Sequence, residues 1–117
     1  MRHIRISCLG AVLVAACTLQ HAADANKAQK EMIGMTRVQV FQCAGVPNRT
    51  ASEGGLDYLV YSAAQTIPYR GGDISENCDA TFVLKNDVVI RVMYRGDTGS
   101  VYTKGRACYP IIEFCVK

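Results

Sequence analysis

The chain has 117 residues, half of them hydrophobic and a fifth charged, with a formal net charge of +3. That length suits one domain around one core, and a weak positive balance without a basic run excludes an electrostatic nucleic-acid binder. His3 and His21 are the only histidines, one in the expected signal and one in the expected tether, so the folded domain is expected to hold no imidazole for catalysis or metal ligation. No cofactor and no metal are expected.

The amino terminus reads as an address. Arg2, His3 and Arg5 form a basic start, and Ile6 to Ala16 is an apolar run too short to span a bilayer comfortably. It ends in Val14-Ala15-Ala16-Cys17, which resembles the lipobox of bacterial lipoprotein precursors. The resemblance implies a signal peptide at 1–16 and lipid attachment at Cys17, whose thiolate alone is nucleophilic enough to form the thioether. Several acyl chains, at roughly 0.8 kcal/mol per buried CH2, would hold the protein on the membrane. Thr18, where Asp would mark inner-membrane retention, favours the outer membrane. Ala23-Asp24-Ala25 offers an alternative cleavage site for a soluble product. Removal of the leader takes Arg2 and Arg5 with it and lowers the charge to about +1.

Residues 17–25 are small and polar and are expected as a lipidated tether, followed by a single domain at 26–117. Ala25 to Met32 favours a short helix. The next helix carries clear local signals: Thr36 as N-cap with Gln39 completing a capping box, and Met35 and Val40 as a hydrophobic staple. Val40, Cys43 and Ala44 share one face, and Gly45 and Pro47 end the helix. The expected span is Arg37–Ala44.

After Gly54-Gly55, Leu56 to Ser62 reads as a strand, and Ala63 to Asn77 as a long polar loop. Ala80, Phe82 and Leu84 alternate toward one face of a second strand; Val88, Ile90, Val92 and Tyr94 do so on a third. A three-residue turn, Lys85 to Asp87, pairs Leu84 with Val88 and Phe82 with Ile90; a two-residue Asn86-Asp87 turn sets the apolar rows on opposite faces. The three-residue turn is therefore expected, with Asn86 or Asp87 left-handed. The fold class is α+β: two short N-terminal helices on one face of a three-stranded antiparallel meander, in the order α-α-β-β-β.

Cys43, Cys78, Cys108 and Cys115 remain in an exported domain, an even number without any C-x-x-C pair, and are expected as two disulfides rather than a zinc site. In this layout Cys78 bonds Cys108 or Cys115, and Cys43 takes the other, leaving a disulfide-tethered C-terminal tail.

Ile33-Gly34-Met35-Thr36-Arg37-Val38-Gln39-Val40, then Cys43-Ala44-Gly45-Val46-Pro47, resembles the SmpA/OmlA family, the BamE-type domain of outer-membrane lipoproteins. Leu56-Asp57-Tyr58-Leu59-Val60-Tyr61 answers the family's aromatic strand, with Tyr where Trp is common. The resemblance spans about residues 27 to 95; the four domain cysteines and the tail from Asp97 depart from the common pattern. It implies a periplasm-facing accessory to β-barrel assembly, although related two-helix, three-strand domains also serve as protein inhibitors.

Asp97-Thr98-Gly99-Ser100 matches the aspartic-protease D-T-G-S, but that chemistry needs two aspartates between apolar strands, and only 17 residues follow. A glycine turn is the better reading. With no nucleophile–base pair, the expected function is non-enzymatic protein binding. Tyr69, Arg70, Tyr102 and Arg106, in expected loops, are the candidate partner-binding residues. The expectation is a lipid-anchored outer-membrane protein on the periplasmic face with a protein partner in envelope assembly. The alternative is a disulfide-stabilised inhibitor of a periplasmic hydrolase.

Overall fold

The computed structural model describes residues 14–100 and 103–116. The expected leader therefore lies largely outside the described residues, as does Tyr102.

Helix α1, Val14–Glu31, is far longer than the expected short helix and absorbs the expected tether. The reason is a stripe of small residues. Ala22, Ala25 and Ala28, followed by Met32, are buried at helical spacing, so the helix axis lies close to what it covers. Backbone and side-chain bonds fix that approach. Tyr94 Oη donates to Ala25 O at 2.6 Å, Gln29 Nε2 to Val92 O at 3.3 Å, and Asn26 Nδ2 to Lys104 O at 3.1 Å. The alanines that resembled linker composition are contact positions.

Helix α2 spans Arg37–Ala44 as expected. Thr36 Oγ1 accepts from Gln39 N, and Thr36 N donates to the Gln39 side chain, so both halves of the capping box are made. Val40 is buried, with Met35, Cys43 and Ala44 packed against the same core. Gly45 ends the helix at φ 83° and donates to Phe41 O. Arg37 ties the helix start to one end of the sheet, pairing with Asp57 at the start of β2 and, at 2.9 Å, with Asp87 in the β3–β4 turn.

The sheet has four antiparallel strands in sequence order, not three: β1 Arg49–Glu53, β2 Leu56–Tyr69, β3 Gly72–Lys85 and β4 Val88–Arg95. β1 is wholly exposed, so no apolar period marks it. It forms because Gly54 and Gly55, both at positive φ, close a two-residue turn that pairs Glu53 with Leu56. The expected 63–77 loop is instead a β-ribbon. β2 and β3 pair continuously from Leu56 opposite Lys85 to Tyr69 opposite Gly72, across an Arg70-Gly71 turn.

The β3–β4 turn also corrects the expectation. Asn86 and Asp87 are both left-handed, at φ 52° and 63°, and Lys85 pairs with Val88. The facing conflict expected of that turn is solved by a bulge. Leu84 pairs with Val89 but Val83 with Arg91, leaving Ile90 as the extra residue. Val89 and Val92 are therefore the buried positions; Ile90 is exposed and Val88 half-buried.

Past β4 the tail holds a 3-10 turn, Arg106–Cys108, and a short helix α3, Tyr109–Ile112. The D-T-G-S stretch lies outside any helix or strand. A Cβ on Gly99 would stand 2.2 Å from Thr103 O, and Thr98 Oγ1 accepts from Gly105 N. Two disulfides fasten this tail, Cys78–Cys108 and Cys43–Cys115. Each closes a loop long enough to stabilise by about 4 kcal/mol in the chain-entropy model. One core cluster joins α1, α2 and the tail to the inward faces of β2–β4, with Phe82, Met32, Leu59, Leu84 and Ile112 at its centre. Tyr61 meets Phe82 edge-on at 5.3 Å and donates from Oη to Gly45 O at 2.7 Å.

Candidate protein-binding face and ribbon

Because side chains alternate along each strand, the register sorts the sheet into two faces. Inward, Leu59, Phe82 and Val92 form one row and Tyr61, Ala80 and Tyr94 another. Outward, the rows are Ala51–Tyr58–Val83–Arg91, Arg49–Val60–Thr81–Met93 and Ser62–Asp79–Arg95. None of these outward residues belongs to the core cluster, so among the described residues this face has no covering layer. Its centre is nonetheless dense. Val83 is only 4% exposed and Tyr58, Val60, Thr81 and Met93 are half-buried by one another. Exposed Arg49, Arg91 and Arg95 surround that apolar strip. Asp79, the carboxylate in these rows, accepts from Ser62 Oγ at 2.7 Å and lies 3.8 Å from Arg49. An apolar centre with an arginine rim is the composition of a protein-docking patch.

The second feature is the distal ribbon. β1 pairing ends at Val60 and β4 pairing at Asp79, so residues 64–77 continue as two strands alone. At about 3.3 Å per residue the six remaining pairs reach roughly 20 Å. Its base is held by one buried ion pair. Glu76 is 3% exposed and Arg106 17%; Arg106 Nε lies 2.8 Å from both Glu76 oxygens, and Gln65 Nε2 donates to Oε2 at 2.8 Å. Hydrogen bonds from Arg106 draw the Glu76 carboxyl below its usual range, against the opposing effect of burial. Under the ribbon a notch of about 300 Å³ is lined by Gln65, Ile67, Arg106, Tyr109 and Pro110, with His21. His21 stacks on Tyr109 at 3.9 Å, so this imidazole belongs to the domain and not to a tether.

The three candidate contact residues that are described, Tyr69, Arg70 and Arg106, do not form one site. Tyr69 ends β2 and Arg70 sits exposed in the ribbon turn, so both positions are at the tip. Arg106 has its guanidinium committed to Glu76 and is an anchor rather than a free contact. Reading Leu56 to Ser62 as a strand leaves its second side unassigned and so misses the outward sheet face. The signal was there: Tyr58 and Val60 alternate with Leu59 and Tyr61, an apolar run on both faces.

Cys17 lies in α1, 7% exposed, and its sulfur is disulfide-bonded. On one sulfur a disulfide and a thioether are alternatives, so lipid attachment needs that bridge open. Searches against protein-family models, curated proteins and solved structures find no match to this chain.

Proposed function

We propose that the chain is a non-enzymatic outer-membrane lipoprotein facing the periplasm, a divergent relative of the SmpA/OmlA domain that docks a protein partner in envelope assembly. The observation carrying this reading is the uncovered sheet face, with Tyr58, Val60, Val83 and Met93 inside a rim of Arg49, Arg91 and Arg95. The apolar leader ending at Cys17 supports export and anchoring, and the disulfides suit an oxidising compartment. The test is crosslinking of tagged full-length protein in its native cells, followed by mass spectrometry. β-Barrel assembly components should dominate, and Arg91→Glu with Met93→Asp should lose them while circular dichroism stays unchanged. Cys17→Ala should lose them through misplacement. Capture that survives the face variant would sink the docking role of this face.

The ribbon favours a second reading. A two-stranded arm with Arg70 at its tip has the shape to enter a cleft, as an inhibitor of a periplasmic hydrolase would require. A soluble hydrolase as the dominant partner, released by Arg70→Glu and untouched by the face variant, would put this reading first.

A further inference from the structure

The two disulfides that fasten the tail stand in opposite surroundings. Cys78 and Cys108 are completely buried within the core cluster. Cys43 and Cys115 are half-buried and both line an open groove of about 570 Å³, together with Glu31, Gln39, Gln42 and Phe114. Phe114, 76% exposed, stands beside the bridge without closing the groove. Thiol–disulfide exchange requires a thiolate to reach a sulfur, so access decides which bridge reacts. A buried pair must first unfold around itself; a groove-lining pair need not.

We propose that Cys43–Cys115 is a thiol-exchange site, serviced through this groove by a dithiol protein of the same compartment. A partner thiolate attacks one sulfur of the bridge, forming a mixed disulfide and expelling the other sulfur as a thiolate, which takes up a proton. The partner's second thiol, as thiolate, then attacks the mixed disulfide. The partner leaves as a disulfide and the chain holds two thiols, a balanced transfer of two electrons and two protons.

The structural consequence is confined. Cys115 N and Val116 N donate to Ile112 O within their own turn, so backbone bonds do not fasten residues 113–116 to α2. The Cys43–Cys115 bond is the covalent link between that turn and the helix. Upstream, Cys78–Cys108 and the buried Ile111 and Ile112 keep the rest of the tail docked. Reduction of the groove bridge therefore loosens the terminal turn, leaving it only the packing of Cys115 and Val116 against the core, and leaves the domain folded.

The test uses folded full-length protein, exposed to a thioredoxin-type dithiol or to dithiothreitol without denaturant, quenched with iodoacetamide and mapped by mass spectrometry. Cys43 and Cys115 should be alkylated at least tenfold faster than Cys78 and Cys108, with circular dichroism unchanged. Opening of Cys78–Cys108 first or at the same rate would overturn the proposal. So would four cysteines that resist until denaturant is added. A Cys43→Ser/Cys115→Ser protein supplies the second measurement. It should stay folded, with backbone NMR changes confined to α2, α3 and residues 113–116; unfolding or a sheet-wide change would equally overturn it.

Discussion

The β3–β4 hairpin and the distal β2–β3 ribbon are both antiparallel pairs closed by two-residue turns, yet they are held by different forces. In the first, Phe82, Leu84, Val89 and Val92 point into the core, and Arg37 clamps the turn through Asp87. In the second, Ile67 faces Ile74 in a pair left partly open to solvent, and the fixed point is the Glu76–Arg106 ion pair at the base. Burial spreads stability over a whole element, while an ion pair concentrates it at one place. The first arrangement suits a scaffold and the second a projecting arm.

The comparison predicts a large global effect on one side. Phe82→Ala removes the largest fully buried side chain and should cost about 4 kcal/mol, as transfer and cavity contributions add. Denaturant titration should show a lower midpoint with one cooperative transition. If the ribbon melted separately, far-ultraviolet and tyrosine signals would part, and the two hairpins would be independent units.

On the other side, the expected effect is local. Glu76→Gln leaves Arg106 buried without its counter-ion and should cost roughly 3 kcal/mol, read as faster hydrogen exchange at Ile67 and Ile74 than at Phe82. Acid should imitate it. A carboxyl whose folded pKa is lowered stabilises the fold above the unfolded value of about 4.3, and that contribution fades as pH falls through the lowered value. Ribbon amides should therefore lose protection below the usual glutamate range, and Glu76→Gln should remove that pH response. Equal acid sensitivity in both proteins would dissociate the ion pair from the ribbon.

What the residues disclosed follows the same division. Helix α2 was legible to its ends because its caps are local chemistry at Thr36, Gln39 and Gly45. Placing the tail beside Cys78 sets both bridges between the tail and the rest of the domain, but leaves Cys108 and Cys115 interchangeable until the fold assigns Cys78–Cys108 and Cys43–Cys115. The ribbon and β1 were not legible, because exposed strands such as Arg49–Glu53 need no apolar alternation and are specified by their glycine turns. Helix α1 was hidden by its own alanines, which mean linker in isolation and close packing beside Tyr94 and the tail. The outward face was legible at Tyr58 and Val60, but its Arg91 and Met93 side required a bulge at Ile90 that no short-range pattern announces.

The smallest expected stability change concerns the ribbon's open edge. Asn48 bonds Val60 O and Ser62 N, so the even-numbered positions of β2 turn their backbone away from β3. Pro68 continues that series opposite Asp73. A proline there removes an outward N–H from an otherwise pairable edge, the usual guard against strand addition. Pro68→Val should move stability by less than about 0.5 kcal/mol, since no ladder bond to β3 is altered. It should, however, raise self-association in sedimentation velocity, because the edge regains a donor beside Thr66 and Ala64. Lys in place of Val at the same position restores the donor but adds a charge, and should stay monomeric. If all three proteins sediment alike, the edge is guarded by something other than Pro68, and the free ribbon is a weaker template for strand pairing than its backbone suggests.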